Sequence, residues 1–198
     1  MTKILILYYS RHGSVLKLAN EIANGVEKIS DAEAIMRTVP AVSVVNEASE
    51  PAIPREGDIY ATPEDLEACD GLILGSPCRY GTMASSLKHF FDQTTPQWLS
   101  GALSNKPGAV FTSSGSLHGG QESTLLGMML PLIHHGMLLV GLPFHGTRVG
   151  QTESGGSPYG ATHVAGSDSS NVLSEDESRL AFQLGQRVAE TAVKLKQH

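Results

Sequence analysis

An unbroken apolar run near the start of the chain most constrains what the chain can fold into. Residues 4–9 read ILILYY and are followed at once by Ser10 and Gly13. A strand with one face in water alternates apolar and polar residues, so this run predicts a parallel strand that is buried on both faces. From Ser14 to Lys28 apolar residues recur every three or four positions, which predicts an amphipathic helix.

The alternation of strand and helix continues along the 198-residue chain. Further strands are predicted at residues 33–39, 72–74, 109–112 and 137–140. Further helices are predicted at residues 62–69, 84–93 and 122–134, and a last helix begins at the capping box that Ser174 and Glu177 form. This order predicts an α/β fold: an open five-stranded parallel sheet with helices on both faces.

Two segments interrupt the alternation of strands and helices. The sequence contains no internal repeat. Residues 40–61 contain three prolines, and residues 142–171 are rich in Gly and Ser. We predict insertion loops there, within a single domain that spans residues 1–198. By its length the second loop belongs to an active site or a subunit contact, or it is merely flexible.

Composition excludes several classes of protein. The net charge is −6 and no basic block occurs, so nucleic acid is not an expected ligand. The longest apolar stretch, residues 125–133, is shorter than the roughly 20 residues of a membrane span. No signal peptide is recognised, and we expect a cytoplasmic protein. Cys69 and Cys78 lack further metal ligands nearby, so we predict reduced thiols and no metal site.

In parallel sheets ligands bind where the strands end, and the loop after the first strand is the first of three candidates. This first loop comprises Ser10, Arg11, His12, Gly13, Ser14 and Val15. Hydroxyl groups and unpaired N–H groups at a helix start bind phosphate. Its spacing fits neither the three-glycine dinucleotide motif nor the lysine-bearing phosphate loop, so a terminal monophosphate is the better match. The alternative is an ordinary capped turn.

The second loop, residues 75–83, follows the third strand and includes Pro77, Cys78, Arg79, Tyr80 and Gly81. A proline with a fixed φ, a glycine that tolerates positive φ and an aromatic ring are suited to frame a flat ligand. Arg79 would stabilise negative charge on that ligand. Alternatively, Arg79 and Tyr80 are solvated surface residues and Cys78 fills space.

The third loop, residues 113–121, follows the fourth strand and begins with Ser113, Ser114, Gly115, Ser116, Leu117 and His118. Its glycines and hydroxyl groups suit backbone contacts to the edge of a ligand. No serine has the Gly-x-Ser-x-Gly setting of a hydrolase, and a Ser114 and His118 pair would lack an orienting acid.

Taken together, these loops and several other motifs resemble one family across nearly the whole chain. The motifs are YYS at residues 8–10 with Gly13, PCRYG at 77–81, FDQT at 91–94 with Trp98 and SGAL at 100–103, GGQE at 119–122, HHGM at 134–137 and PYGAT at 158–162. The sequence therefore resembles the flavodoxin-like quinone oxidoreductases known as the tryptophan-repressor-binding protein (WrbA) family.

This resemblance implies a flavodoxin-like fold with strand order 2-1-3-4-5 and a homotetramer. It also implies bound FMN and ping-pong transfer of two electrons from NADH or NADPH to a quinone. By resemblance, residues 10–15 hold the FMN phosphate, residues 77–81 and 113–118 contact the flavin, and His134 also contacts it. The resemblance also implies that Trp98 lies on the substrate side of the flavin. His12 stands where the family has Tyr, at a position tied to the nicotinamide cofactor.

Two other functions stay open from the sequence. A flavodoxin-type carrier would pass single electrons between protein partners, although the acidic residues here are scattered rather than concentrated in a patch. A protein-binding module without enzymatic activity is the other. The apolar helix at residues 124–133 is either deeply buried or packed against another subunit.

Overall fold

Parallel strands alternate with helices throughout the computed structural model, which describes residues 1–43, 54 and 56–196. The strands are β1 (Thr2–Tyr8), β2 (Ala32–Thr38), β3 (Gly71–Pro77), β4 (Pro107–Ser114), β5 (Leu138–Leu139) and β6 (Ala161–Val164). The helices are α1 (Ser14–Glu27), α2 (Pro63–Ala68), α3 (Ser85–Asp92), α4 (Thr95–Leu99), α5 (Gln121–His134) and α6 (Glu175–Lys196). In this part of the chain no helix is both long enough and apolar enough to cross a membrane.

The sheet follows the order β2-β1-β3-β4-β5, which confirms the predicted strand order. All of these strands pair in parallel, so their carboxyl ends lie at one edge of the sheet. The predicted central strand is β1, between β2 and β3. Its side chains alternate between two buried cores, because Ile4 and Ile6 pack on one face while Leu5 and Leu7 pack on the other.

Helices α1 and α6 cover one face of the sheet and approach each other closely. A methyl group at residue 25 would overlap the carbonyl oxygen of Phe182, and one at residue 185 would overlap that of Ile22. Gly25 and Gly185 therefore let the two backbones touch. The first helix of the chain is fixed in place by a helix that follows far later in the sequence.

The loop predicted at residues 142–171 contains a strand that the sequence reasoning missed. Strand β4 pairs first with β5, through Pro107 and Gly108, and then with β6 along residues 111–114. Among the residues that the structure describes, the sheet thus has six strands instead of five, and β5 and β6 share the fifth position. Strand β6 has only four residues in a Gly- and Ser-rich stretch, too few to show an alternating pattern.

The insertion predicted at residues 40–61 lies only partly within the described residues, because residues 44–53 and 55 fall outside them. Its last residues run beside β2, where Thr38 bridges to Tyr60. The hydroxyl of the buried Tyr8 donates a hydrogen bond of 2.8 Å to Asp58. Burial and this carboxylate raise the pKa of Tyr8, so the phenol stays protonated.

A buried carboxylate on α6 holds the segment predicted as a loop at residues 142–171, here called the inserted segment, against the sheet. Glu177 is 2% exposed and accepts hydrogen bonds from the backbone N–H groups of Gly155, Val164 and Ser174 and from Nδ1 of His163, at 2.8–2.9 Å. Burial alone would raise the pKa of this carboxyl, but the hydrogen bonds outweigh burial and lower the pKa to about 2. Glu177 is therefore ionised in the folded protein at neutral pH.

The amide of Gln121 extends this network to the third loop. It donates to Ser114 Oγ at 2.9 Å and to the carbonyl of His163 at 3.1 Å, and it accepts from Thr162 Oγ1 at 2.7 Å. A chain of hydrogen bonds thus links the end of β4, strand β6 and α6. The position of the third loop depends on the inserted segment.

We expect Glu177→Gln to destabilise the fold in a pH-dependent way. A folded pKa of about 2, against an ordinary value of 4.5, contributes stability that is fully present above pH 4.5. That stability is lost as the pH falls toward 2, and it amounts to about 3 kcal/mol. Urea unfolding between pH 7 and pH 3 should show Glu177→Gln less stable at pH 7 and less sensitive to acid than the wild type.

Glu190→Gln is the matched control for this experiment, because Glu190 is exposed on the same helix. It should follow the wild-type curve at every pH. If the free energy of unfolding of Glu177→Gln changed with pH as that of the wild type does, the buried carboxylate would not be the group that weakens the fold in acid.

Candidate active site

A cleft lies at the carboxyl edge of the sheet, where β1, β3 and β4 end side by side. All three loops selected from the sequence contribute to it, together with two residues from the inserted segment. The cleft is lined by Ser10, Arg11, His12, Ser14, Val15, Pro77, Cys78, Arg79, Tyr80, Ser113, Ser114, Gly115, Gly119, Ala165 and Ser169.

The first loop presents an open helix start to this cleft. Gly13, at φ +83°, is the N-cap of α1 and supplies no side-chain hydrogen bond to the helix. Ser10 Oγ accepts from the N–H of Leu16 at 3.3 Å, whereas the first N–H groups of a helix have no partner within it. The hydroxyl of Ser14 is buried and has no partner in the described part of the chain. These donors converge where an anion would complete their hydrogen bonds.

The second loop is a tight turn that carries an arginine and an aromatic ring to the cleft. Arg79 and Thr82 exchange backbone hydrogen bonds of 2.8 and 3.0 Å across Tyr80 and Gly81, both of which have positive φ. The side chain of Tyr80 is fully exposed. Arg79 Nη1 donates to the carbonyl of Cys78 at 2.8 Å, which orients the guanidinium and leaves its other N–H groups available.

Cys78 joins the second loop to the third. Its thiol donates to the carbonyl of Gly119 at 2.8 Å and accepts from Thr124 Oγ1 at 3.1 Å. The loops approach so closely that a methyl group at residue 120 would lie 3.0 Å from Cα of Gly81. Cys78 therefore has a structural task in the cleft.

Cys69, the other free thiol, is buried away from the cleft. Burial raises its pKa to about 11, so it stays protonated at neutral pH.

The third loop lines the cleft with only its first half and with Gly119. Ser113, Ser114 and Gly115 lie in the cleft, whereas Ser116, Leu117 and His118 are exposed and do not line it. Ser114 Oγ donates to the carbonyl of Ser116 at 2.7 Å and accepts from Gln121, so it forms no hydrogen bond with His118. Ser116, Leu117 and His118 belong to a turn that the N–H of Gly119 closes by donating to the carbonyl of Ser116 at 3.0 Å.

Sequence reasoning missed Ala165 and Ser169, which reach the cleft from the segment after β6. The available signal was the run GSDSS at residues 166–170, which has the Gly and Ser content of the other ligand loops. Without β6, nothing placed this run at the same edge of the sheet.

The structure does not bring Trp98 and His134 to the cleft. Trp98 Nε1 donates to the backbone carbonyl of His134 at 2.8 Å, and both residues line a separate cavity with Lys88, Phe91, Asp92, Thr94, Thr95, Pro131 and His135. Helix α5 starts beside the cleft at Gln121 and runs 14 residues to His134, a distance of about 21 Å. Within one chain, these two side chains and the cleft lie at opposite ends of α5.

His135 is buried beside this separate cavity, with its Nε2 3.2 Å from Thr94 Oγ1. Burial, together with the charge of His134, lowers the pKa of His135, so its ring is neutral at neutral pH.

The groups in the cleft suit anion binding better than acid–base or metal chemistry. Backbone N–H groups, serine hydroxyls and two guanidinium groups all act as hydrogen-bond donors. Within residues 1–43, 54 and 56–196, no three His, Cys, Asp or Glu side chains come together as a metal site would require.

Comparison of the sequence with known proteins identifies the family of this chain. A sequence model of the NADPH-dependent FMN reductase family matches residues 2–144. A protein of Rhizobium rhizogenes named NAD(P)H dehydrogenase (quinone) is 44% identical, over 98% of this chain and 99% of that relative. A protein of the same name from Gluconacetobacter diazotrophicus is 43% identical with the same coverage.

Solved structures share the fold. A WrbA-like flavodoxin from Agrobacterium tumefaciens superimposes with a TM-score of 0.67 at 24% identity, over 98% of this chain and 99% of that one. A flavodoxin from the domain Archaea gives a TM-score of 0.63 at 17% identity, over 97% and 99%. The family model and the relatives confirm the resemblance found in the sequence, and the chain belongs to the NADPH-dependent FMN reductase family.

Proposed function

We propose that this protein binds FMN in the cleft and catalyses the two-electron reduction of quinones by NADH or NADPH. The observation that carries the proposal is the open start of α1, where the buried hydroxyl of Ser14 lacks a partner in the described part of the chain. The relatives named NAD(P)H dehydrogenase (quinone) support the choice of donor and acceptor.

The residues present fit FMN. Its terminal phosphate would be held by the N–H groups at the start of α1 and by the hydroxyls of Ser10 and Ser14. The flavin would be held by the second loop and by Ser113–Gly115 of the third. When bound, FMN supplies the redox chemistry, taking two electrons from a dihydronicotinamide and giving them to a quinone.

The protein's own groups bind and stabilise charge. The Arg79 guanidinium, oriented by the carbonyl of Cys78, offers positive charge where negative charge develops on reduction. Overall NAD(P)H, a quinone and one proton from solvent give NAD(P)⁺ and a hydroquinone, so the cleft needs no strong base. Donor and acceptor would use the same cleft in turn, which is a ping-pong mechanism.

Trp98 and His134 can serve this site only from another copy of the chain. His134 lies about 21 Å along α5 from the cleft, and Trp98 is hydrogen-bonded to its carbonyl. The outer side of α5 exposes Leu126, Leu130 and Ile133 by 46–59%. Exposed apolar side chains in one patch are typical of protein interfaces. We therefore include in the proposal the homotetramer expected from the resemblance, with α5 at a subunit contact.

Sedimentation at micromolar concentration should show four associated chains, and Leu130→Asp should disperse them. Leu195→Asp, the same change at an exposed leucine of α6, is the control and should leave the assembly intact. A 21.0 kDa species alone for the wild type would overturn the tetramer.

The function itself is tested by absorption spectroscopy followed by steady-state kinetics. Added FMN should bind stoichiometrically, anaerobic NADH or NADPH should bleach it, and benzoquinone should restore the colour. Initial rates at several donor and benzoquinone concentrations should give parallel double-reciprocal lines, as ping-pong kinetics require. FMN without protein is the control.

Failure to bind FMN would overturn the proposal as a whole. If FMN bound but benzoquinone did not accelerate NAD(P)H oxidation, the enzyme would be excluded and a one-electron carrier favoured.

Ser14→Ala should weaken FMN binding without weakening the fold. Loss of one hydrogen bond to a charged phosphate should raise the FMN dissociation constant about tenfold to a hundredfold. Without FMN, removing a buried hydroxyl that has no partner should leave the unfolding temperature unchanged or raise it. Ser30→Ala, an exposed serine after α1, is the control for both measurements. Equal FMN affinity of Ser14→Ala and wild type would exclude this role for the hydroxyl.

A further inference from the structure

A second cavity of about 520 Å³ adjoins the cleft. Its walls come from the ends of β1 and β3, from the residues after β2 and from the start of α3. It is lined by Tyr9, Arg11, Ala41, Val42, Arg79, Ala84, Ser85 and Ser86. The cleft and this cavity share two lining residues, Arg11 and Arg79, so two arginines lie where the two spaces meet.

The lining of this arginine-bordered cavity is positively charged. None of its described lining residues is acidic, and in the described part of the chain neither Arg11 nor Arg79 forms an ion pair. Two guanidinium groups without a carboxylate partner are suited to phosphate, to which arginine donates paired hydrogen bonds.

The start of α3 forms a fixed wall of the cavity. Ser86 Oγ accepts from the N–H of Val42 at 3.3 Å, and the N–H of Ala84 donates to Ser76 Oγ at 2.8 Å. No side chain caps the first N–H groups of α3, whose N-cap is Ala84. These N–H groups add partial positive charge on the same side as the arginines. The wall is therefore both ordered and attractive to anions.

We propose that this cavity binds the phosphate-bearing end of the dinucleotide donor, with Arg11 and Arg79 on its phosphates. The inference rests on the proposed function. A dinucleotide whose nicotinamide reaches the cleft must place its second nucleotide outside it, and the adjoining cavity has a volume within the roughly 300–1,000 Å³ of ligand pockets. The phosphates then meet the guanidinium groups at the boundary. Since none of the described lining residues is acidic, none of them would compete for a ribose hydroxyl, and the cavity also accepts the extra phosphate of NADPH.

Ser85→Asp tests the proposal by placing a negative charge in the cavity and not in the cleft. Ser85 is exposed at the first position of α3, where an aspartate stabilises the helix, so the variant should fold. Ser85→Asn is its neutral counterpart of nearly the same shape. The holoenzyme would be assayed with benzoquinone and three donors: NADH, NADPH and uncharged N-benzyl dihydronicotinamide.

The readout is kcat/KM for each dinucleotide divided by kcat/KM for the uncharged donor. Ser85→Asp should lower this ratio about tenfold through KM, whereas the uncharged Ser85→Asn should lower it far less. A fall for NADH and NADPH alike identifies the pyrophosphate as the bound group. A fall for NADPH alone identifies its additional phosphate. An unchanged ratio in Ser85→Asp, or an equal loss in both Ser85 variants, would overturn the proposal.

Arg11→Gln gives a second test, with Arg179→Gln on the exposed side of α6 as the same change elsewhere. The ratio should fall for Arg11→Gln and not for Arg179→Gln. If the wild type oxidised none of the three donors, the proposed function itself would fail. If it oxidised all three and neither Ser85→Asp nor Arg11→Gln changed the ratio, only the dinucleotide cavity would be wrong.

Discussion

One buried negative charge organises the side of the molecule that carries the cleft. A carboxylate without partners in the interior is very costly, so Glu177 is tolerated only while its four hydrogen bonds exist. Those bonds come from three separate stretches: the turn at Gly155, strand β6 and the start of α6. The stretches must therefore assemble together. Through Gln121 the same network reaches Ser114, so the third loop takes its place only when this assembly is complete.

Charge is distributed unevenly over the molecule. The chain as a whole carries −6, yet the described lining residues of the cleft and of the arginine-bordered cavity include no carboxylate. Two helix starts, those of α1 and α3, point toward this region together with Arg11 and Arg79. A local positive region on an acidic protein attracts anionic ligands to one place and leaves the rest of the surface unattractive to them. Such a region favours ligands that carry phosphate groups.

Much of this arrangement could be predicted from local patterns. The apolar run of β1, the periodicity of α1 and the Gly- and Ser-rich loops after three strands placed the cleft at the correct edge of the sheet. The strand order came from the family resemblance, because hydrophobic periodicity does not say which strands pair.

The features that could not be predicted share a cause, which is that they concern contacts between distant segments. Strand β6 is too short to show a pattern and is recognisable only through its pairing with β4. The pattern of α5 predicts a helix, but the direction in which that helix leaves the cleft decides that His134 is remote from it. Likewise, the cavity at Arg11 exists only because β1, β3 and the residues after β2 end next to the start of α3.

The contact between α1 and α6 has a consequence for the order in which the protein matures. Gly25 and Gly185 let the helices touch backbone to backbone, yet α6 begins at Glu175, long after α1 ends. While the ribosome is still making the middle of the chain, the apolar side of α1 has no covering helix, and contacts this distant in sequence form late. The start of α1 is thus synthesised well before the helix that fixes it in place, and it becomes rigid late. The FMN phosphate site proposed at this helix start is therefore complete only after α6 has been synthesised.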